Sequence, residues 1–413
     1  MIFAQMQSVE LRVPPVDLLA IGPETALAVA GIIVVLLASF RHRFGGLGAL
    51  PSVVGLGGAV VAFLLCLRLW SVIGEDGAYQ AIAGMVAVDR FAVLARVAIL
   101  VACSLSILIS EGYARREGFD RPEYVALLLL SSSGMLLMTS ANDLVMVFLA
   151  LEVLSIALYV LSAFDRRRRE SEEAGIKYFV LGAFSSAVLL YGIALVYGAT
   201  GTTSLPGIAS FLARTVVLED GLLLAGLALL FVGLGFKVAV VPFHTWTPDV
   251  YQGAPSPVTG FMAAGAKAAG FAALIRVLVG AFEAYRLDWE LPVQIIAVAT
   301  LLVGSVLAVV QEDVKRMLAY SSISHAGYVL IGVVVAGGAG IAAALFYLLS
   351  YAFLVIGSFA VVSVVAGRGD ARHRLSDYRG LGKRRPALAA ALTLFLLAQA
   401  GVPLTSGFVA KFT

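Results

Sequence analysis

Long apolar runs constrain this chain more than any motif does. Twelve runs are long enough to cross a lipid bilayer as helices, which takes about 20 mostly apolar residues. They lie at 17–40, 49–73, 90–111, 123–140, 143–163, 174–199, 221–242, 256–282, 289–310, 316–336, 339–366 and 387–411. None shows the roughly ten-residue segments of alternating hydrophobicity that a membrane β-barrel needs. The sequence therefore predicts an all-α polytopic membrane protein.

The composition excludes a soluble globular protein. Hydrophobic residues make up 61% of the 413 positions and charged residues 13%, and the mean hydropathy is +0.98. Soluble domains are roughly 45–50% apolar and about 25% charged. The net charge of +3 gives no reason to expect a nucleic-acid partner. Cys66 and Cys103 stand singly in apolar runs, so we interpret them as small core- or lipid-facing residues rather than a metal or redox pair.

The basic residues predict the orientation of the spans. Eighteen lysines and arginines, including Arg166 to Arg169, lie in loops that follow odd-numbered spans. The N-terminal segment and the loops after even-numbered spans hold four. Because cytoplasmic loops carry the excess of positive charge, we expect these basic loops inside and the N-terminus outside. The chain stops inside an apolar run, so we expect a fragment of a longer protein.

Glu152 and Lys177 lie in neighbouring spans and are the first two candidate functional residues. Glu152 is about 12 residues, or roughly 18 Å of helix, from the basic loop, so its short side chain must pair with a cation, contact water or stay protonated. Lys177 lies nearer a helix start, where a lysine can also extend to the membrane surface. Because the two spans run antiparallel, we expect Lys177 as a partner for Glu152, with coupled titration.

Lys237 and Lys411 each stand next to residues that interrupt a helix. Pro242 follows Lys237 by five positions, and Gly401, Pro403 and Gly407 precede Lys411. Proline removes a helical hydrogen bond, and interrupted helices within membranes occur where they line a cavity. The alternative for Lys237 is an interfacial lysine near the end of its span.

Lys267 and His325 lie well inside their spans. Lys267 is flanked by glycine and alanine, which allow close helix approach and leave room for water. Burial disfavours a charged amine, so such a lysine can exchange a proton near neutral pH. His325, among serines, either relays protons or is a hydrogen-bonded core residue. The sequence leaves open whether Arg96 and Arg276 lie at the interface or pair with acidic residues.

The sequence lacks the motifs of redox and nucleotide chemistry. It contains no dinucleotide-binding or phosphate-binding glycine loop, no paired CxxC motif, no HExxH motif and no nucleophile elbow. The chain itself is therefore not expected to carry electrons or hydrolyse nucleotides. If it moves protons against a gradient, the energy must come from partner subunits or from a counter-ion.

Four segments carry a resemblance to a known family. They are residues 151–164 with 173–192, residues 233–258 (GLGFKVAVVPFHTWTPDVYQGAPSPV), residues 313–328 (DVKRMLAYSSISHAGY) and residues 401–412 (GVPLTSGFVAKF). These segments resemble the antiporter-like membrane subunits of respiratory complex I. The resemblance is specific from about the fourth span to the end of the chain, whereas the first three spans share only the layout.

The resemblance implies an antiporter-like bundle of fourteen helices with two inverted five-helix repeats, each containing a broken helix. We expect three N-terminal helices in 1–122, the first repeat in 123–285 and an incomplete second repeat in 286–413. Six residues match the family's proton relay: Glu152, Lys177, Lys237, Lys267, His325 and Lys411. The resemblance further implies no cofactor in this subunit, with NADH, FMN, iron–sulfur clusters and quinone bound by partner subunits of a hetero-oligomer in the bacterial inner membrane.

Two other interpretations remain at this point. The same fold and similar lysines occur in subunits of multisubunit cation/proton antiporters and membrane-bound hydrogenases. A structural membrane scaffold, in which the lysines only hold helices together, is the third interpretation.

Overall fold

A computed structural model describes residues 16–39, 47–118, 122–215 and 219–412. Four arginines that count toward the predicted orientation, Arg12, Arg41, Arg43 and Arg121, lie outside these residues. The described part of the chain is almost entirely helical. In chain order the helices are α1 (Gly22–Ser39), α2 (Leu50–Asp76), α3 (Arg90–Glu117), α4 (Pro122–Ser140), α5 (Leu144–Ser162), α6 (Arg169–Thr200), α7 (Leu205–Arg214), α8 (Gly221–Val238), α9 (Trp246–Gly253), α10 (Ser256–Ala281), α11 (Arg286–Val309), α12 (Val314–Val335), α13 (Gly337–Ala366), α14 (Leu381–Arg384), α15 (Pro386–Ala400) and α16 (Ser406–Phe412).

Eleven helices within the described ranges are long and apolar enough to cross a membrane. They correspond to the first eleven predicted runs, so the prediction of an all-α polytopic membrane protein is confirmed. The twelfth predicted span, 387–411, is not one continuous helix but α15 and α16. Gly401 ends α15 with a φ of 85°, a left-handed conformation that glycine adopts without steric cost.

The two faces of the helix bundle have different connections. A short hairpin of β1 (Tyr79–Ala81) and β2 (Val86–Val88) joins α2 to α3, and we call its side of the bundle the hairpin face. The amphipathic helix α7 lies on the same side and buries Leu205, Ile208 and Leu212. The opposite side carries the loops with Arg166 to Arg169 and with the arginines of 368–385, and we call it the basic face.

Helix α10 forms the centre of the bundle. Every residue from Gly253 to Ile275 is buried, as expected for a helix surrounded by other helices. Glycine permits this packing at Gly270, where a Cβ atom would lie 2.7 Å from Cγ1 of Val238 in α8. The helix contains a π-helical turn at Met262–Ala266, directly before Lys267. Such turns add one residue to a helical turn and are frequent at functional sites.

The helix containing Lys237 is interrupted as the sequence predicts. Helix α8 ends at Val238, and Ala239 adopts a left-handed conformation with a φ of 61°. A turn over residues 241–245 then leads to α9, which begins at Trp246. The N–H of Val241 donates to Oγ1 of Thr300 in α11, and the carbonyl of Phe236 accepts a hydrogen bond from the Trp246 indole. Side chains therefore replace helical hydrogen bonds that the interruption removes.

The second interruption, between α15 and α16, lies in a span that runs in the opposite direction to α8. Leu404 within it has a φ of 71°, and Ser406 begins the short helix that carries Lys411. The proposed division into residues 1–122, 123–285 and 286–413 stays a prediction.

Candidate functional site

Lys237 is held inside the bundle by two hydroxyl groups from neighbouring helices. Its Nζ donates to Oγ of Ser155 in α5 at 2.8 Å and to Oη of Tyr178 in α6 at 3.1 Å. The side chain is buried, with 3% of its surface exposed. Tyr178 in turn stacks on Trp246, the first residue of α9, with ring centroids 4.6 Å apart. The helix interruption therefore supplies part of the packing around this lysine.

Glu152 lies on α5 one turn before Ser155, the serine that binds Lys237. Its Oε1 atom is buried and has no hydrogen-bond partner among the described residues. The carboxylate is close enough to Lys237 for their charges to interact, although the two groups form no ion pair within the described part of the chain. Glu152 therefore lies near Lys237, whose amine is bound by hydroxyl groups of α5 and α6.

The structure does not pair Lys177 with Glu152, so that expectation is wrong. Lys177 Nζ instead binds Oε1 of Glu173 and Oδ2 of Asp249 in α9, both at 2.7 Å. The lysine side chain is 40% exposed. Glu173 is one helical turn earlier on α6, and the long lysine side chain extends from there toward the basic face, as a lysine near a helix start does.

Lys267 is the most enclosed of the predicted lysines. Only 2% of its surface is exposed, and its Nζ donates to the backbone carbonyl of Ser322 in α12 at 2.5 Å. An uncharged carbonyl is therefore its hydrogen-bond acceptor within the described residues. The helix that carries Lys267 also packs against Lys237. A Cβ atom added at Gly270, on the same helix α10, would lie within 4 Å of Cβ and Cγ of Lys237.

His325 lies one turn after Ser322 on α12 and is surrounded by tyrosines. Its Nδ1 and the Tyr347 hydroxyl are 2.5 Å apart, and its ring centroid is 4.6 Å from that of Tyr351. The histidine is also close enough to Lys267 and Lys411 for charge on either lysine to act on it. His325 therefore lies near both lysines, on the helix that accepts the hydrogen bond from Lys267.

Lys411 completes the series at the far side of the bundle. Its Nζ lies 4.4 Å above the ring of Tyr328 in α12 and 3.4 Å from the carbonyl of Ala400 at the end of α15. The carbonyl belongs to the interrupted segment, so this lysine, like Lys237, contacts a helix break. A cation above an aromatic face is stabilised by the ring quadrupole.

Five of the six predicted residues thus form one series through the bundle. Glu152, Lys237, Lys267, His325 and Lys411 follow one another from α5 through α8, α10 and α12 to α16. Lys177 lies apart from the series, at the basic face.

The sequence analysis missed two charged clusters at the basic face. In the first, Asp249 accepts hydrogen bonds from Lys177 and from Arg316 of α12, the latter at 2.6 Å. Burial raises the pKa of Asp249, but the two cations lower it further, so the net pKa lies below its usual value. This carboxylate joins α6, α9 and α12.

The second cluster centres on Asp370, in the turn after α13. Its side chain is fully buried and accepts hydrogen bonds from Nζ of Lys315 at 3.0 Å and from both the N–H and the hydroxyl of Ser256. Burial raises the pKa of Asp370, but Lys315 and Arg168 outweigh this, so the net pKa is below the usual 3.8. The sequence shows only that Asp370 is one of two aspartates in an arginine-rich loop.

Acidic and histidine side chains do not cluster as metal ligands within the residues described. No group of three or more histidine, cysteine, aspartate or glutamate residues could hold a metal ion there. Cys66 and Cys103 are both buried and free. The chemistry that the described arrangement supports is binding and transfer of protons.

The chain is similar to known membrane proteins. A family model described as NADH:quinone oxidoreductase/Mrp antiporter, TM, matches residues 141–413. NADH-quinone oxidoreductase subunit N of Trichlorobacter lovleyi is 44% identical over 398 residues, which cover 96% of this chain and 80% of that protein.

Two solved structures share the fold. A chain of respiratory complex I from Thermus thermophilus is 33% identical with a TM-score of 0.73, over 94% of this chain and 81% of that one. A chain of an archaeal membrane-bound sulfane sulfur reductase is 26% identical with a TM-score of 0.83, over 95% and 80% of the two chains. Together, the matched family model and the identity to these relatives show that the chain belongs to the NADH:quinone oxidoreductase/Mrp antiporter family of transmembrane proteins.

Proposed function

We propose that the chain is subunit N of a bacterial NADH:quinone oxidoreductase and that it translocates protons without redox chemistry of its own. The observation that carries this proposal is the series of ionisable side chains from Glu152 to Lys411. The 44% identity to a subunit N over most of both chains supports the choice of complex. NADH, FMN, iron–sulfur clusters and quinone would then be bound by partner subunits, whose redox chemistry supplies the energy.

The bonding of the buried lysines suits proton transfer. Lys237 and Lys267 donate to hydroxyl and carbonyl oxygens, and neither forms an ion pair within the described part of the chain. A lysine held by a neutral acceptor is not fixed in its charged form by a permanent counter-charge, so it can alternate between the charged and the neutral state. Glu152, beside Lys237, would favour the charged state of that lysine whenever it is itself ionised.

In the proposed mechanism, protons move from one ionisable side chain of the series to the next while electrons pass through partner subunits. Each transfer breaks one N–H or O–H bond and forms another N–H or O–H bond, with no change in the number of electrons. The excess of basic residues in alternate loops supports an orientation with the basic face in the cytoplasm and the N-terminus outside the bacterial inner membrane.

Replacement of Lys267 in the assembled complex tests the proposal. We expect Lys267→Ala to reduce NADH-driven proton uptake by inverted membrane vesicles while the complex still assembles. Lys383→Ala is the matched control, because Lys383 is exposed in the short helix α14 on the basic face. Proton uptake at the wild-type level in Lys267→Ala would refute the relay and favour the interpretation as a structural scaffold.

A subunit of a cation/proton antiporter or of a membrane-bound hydrogenase is the alternative function. The archaeal reductase chain has the higher TM-score, 0.83 against 0.73, whereas the complex I chain has the higher sequence identity, 33% against 26%, and this identity favours the proposal. We give more weight to identity, because this fold is shared by proteins with different functions. Genes for flavin and iron–sulfur subunits beside the gene for this chain would support complex I, and their absence would favour the antiporter.

A further inference from the structure

An apolar groove lies between α8 and α11 on the outside of the bundle. It has a volume of about 400 Å³, and large side chains such as Phe231, Trp289 and Ile296 form its walls. Ala228 of α8 and Pro292 of α11 also line it and are exposed, so the groove opens toward the surroundings of the bundle. Protein pockets that bind small ligands have volumes of roughly 300–1,000 Å³ and mostly apolar walls.

The groove extends from the hairpin face to about the middle of the membrane. Its wall on α8 runs from Leu224 to Val232, and its wall on α11 runs from Asp288 to Ile296. Each stretch covers about 12 Å at the helical rise per residue. Both helices begin at the hairpin face, because α8 follows α7 in the chain and α7 packs against residues 276–285, just before α11.

This length distinguishes between two kinds of occupant. A transmembrane helix of a partner subunit crosses the whole hydrocarbon core, about 30 Å, and would be expected to follow a groove of that length. One leaflet supplies about half of that thickness, roughly 15 Å. A groove of about 12 Å therefore matches an acyl chain of a lipid in one leaflet better than it matches a helix.

Two carboxylates stand at the outer end of the groove. Asp288 lines the groove in the first turn of α11, and Asp220 directly precedes α8. Both are close enough to Tyr285 for their charges to act on its hydroxyl, so they lie on the same side of the groove. A carboxylate at the start of a helix is favoured by the helix dipole, but the dipole supplies no cation to balance it.

The arginines on this side leave the two aspartates without an ion pair. Within the described part of the chain, Arg286 pairs with Glu283 and Glu290 instead. Arg214 is exposed at the end of α7 and forms no ion pair among the described residues. The outer end therefore offers acceptors to an ammonium group, whereas an anionic headgroup would be repelled by two like charges.

We propose that the groove binds an acyl chain of a phospholipid whose headgroup carries a primary ammonium, such as phosphatidylethanolamine. The acyl chain lies between α8 and α11, and the ammonium donates to Asp220 and Asp288. This inference assigns a lipid site outside the series of ionisable residues, so it does not depend on the proposed function.

The inner end of the groove reaches the helix interruption after α8. Phe243 lines the groove there and packs on α8, since a Cβ atom at Gly235 would lie 3.1 Å from its ring. In the same turn, the N–H of Val241 donates to Thr300 of α11. The bound acyl chain would thus fill the space beside the interrupted backbone that leads to α9.

Photolabelling of the assembled complex tests the inference. The purified complex is placed in phosphatidylcholine nanodiscs that contain a trace of photoactivatable phosphatidylethanolamine, and labelled peptides are identified by mass spectrometry. We expect labels in residues 224–232 and 288–296. Ala228→Trp places a ring in the groove and should lower this labelling about tenfold, the effect of losing the burial of about two methylene groups.

Ala225→Trp is the matched control. Ala225 is also an exposed alanine of α8, one turn earlier, and it does not line the groove. We expect wild-type labelling in this variant. If Ala228→Trp does not assemble, an excess of unlabelled phosphatidylethanolamine added to the wild-type complex supplies the second measurement and should suppress the labelling.

The headgroup is tested separately with Asp220→Asn/Asp288→Asn. The wild-type groove should be labelled several-fold more by the phosphatidylethanolamine probe than by a photoactivatable phosphatidylglycerol probe. The double variant should lose this preference, because the amides carry no charge to attract an ammonium. Equal labelling of the wild-type groove by the two probes would overturn the assignment of the headgroup.

Two further outcomes would overturn the lipid site itself. One is unchanged labelling both in Ala228→Trp and in the wild-type complex with excess unlabelled lipid. The other is a structure of the assembled complex in which a polypeptide segment fills the groove. Neither outcome bears on the proposed function, which Lys267→Ala tests independently.

Discussion

At the scale of single residues, Lys177 and Lys237 differ in the groups that bind them. Lys177 has two carboxylate partners and is 40% exposed, whereas Lys237 is buried and bound by two hydroxyls. Exposed ion pairs contribute little to stability, about 0–1 kcal/mol, because water screens them and ordering long side chains costs entropy. A permanently paired lysine is also a poorer proton carrier than one bound by neutral oxygens.

This difference predicts unequal effects of the same substitution. We expect Lys237→Ala to reduce NADH-driven proton uptake several-fold and Lys177→Ala to reduce it much less. Both variants should assemble, and both are measured in inverted membrane vesicles at equal rates of NADH oxidation. An equal loss in the two variants would show that Lys177 belongs to the relay despite its position at the basic face.

The residues also show where prediction from the sequence succeeds and where it fails. Lys237, Lys267 and Lys411 could be found because a lysine in a long apolar run is rare and the helix-breaking residues beside two of them are local signals. Of the two partners of Lys177, Asp249 could not be found, because it is 72 positions away in the chain and its place depends on how α9 folds back. The contacts of His325 with Tyr347 and Tyr351 were missed because these tyrosines lie on α13, and the contacts depend on how α12 and α13 pack.

At the scale of helices, the approach of α8 to α10 depends on Gly270. A Cβ atom there would lie 2.7 Å from Cγ1 of Val238, closer than side-chain carbon atoms approach in protein cores. We expect Gly270→Ala to destabilise the protein by about 1–3 kcal/mol, the usual cost of overpacking. The change should also lower proton uptake, because the shift falls next to Lys237.

Gly280→Ala provides the control within the same helix. A Cβ atom at Gly280 would have no neighbour within 4 Å, so this variant should unfold at the wild-type temperature. Thermal unfolding of the purified complex compares the two variants. Equal midpoints for Gly270→Ala and the wild type would contradict the close packing of α8 against α10.

The spans themselves follow closely from the sequence. Eleven long apolar runs become continuous helices because backbone groups within a bilayer must bond to one another. The twelfth run was predicted as one span, with a break noted before Lys411, but hydropathy alone does not show where a helix stops. Gly401 and Leu404 adopt left-handed conformations there. These conformations let the backbone turn away from the axis of α15 and then enter α16.

At the scale of the whole molecule, Asp370 joins distant parts of the chain at the basic face. It binds Lys315 at the start of α12, Ser256 at the start of α10 and Arg168 before α6. Lys315 also donates to the carbonyl of Ala254, between α9 and α10, at 2.6 Å. These bonds fix the ends of the helices that carry Lys267 and Ser322.

Loss of the Asp370 charge is therefore expected to weaken the whole bundle. Asp370→Asn leaves Lys315 as a fully buried cation without its counter-charge, which should destabilise the protein by about 3–5 kcal/mol. Asp377→Asn, a less buried aspartate in the same loop, should have little effect. Thermal unfolding of the purified complex measures both, and a wild-type midpoint for Asp370→Asn would exclude this role.

The sign of the pH dependence follows from the lowered pKa of Asp370. A carboxylate with a lower pKa in the folded state than in the unfolded state stabilises the fold above its unfolded value. This contribution is complete above about pH 4–5, near and just above the usual aspartate pKa, and it is lost as the pH falls through the folded value below 3.8. The basic-face contacts of Asp370 thus persist at neutral pH.

The number of residues in the π-helical turn at Met262–Ala266 determines how Lys267 is rotated about the helix axis relative to Ser256–Phe261. Because the turn holds one residue more than an α-helical turn, it absorbs that residue and leaves Ser256–Phe261 in phase with Lys267. One further residue inserted there would exceed what the turn absorbs and would rotate Ser256–Phe261 relative to Lys267 by about 100°. The contacts of Ser256 at the basic face and of Lys267 with Ser322 could then not form together. We expect insertion of one alanine after Ala263 to abolish proton uptake, whereas Ala263→Gly, which keeps the count, should retain most of it.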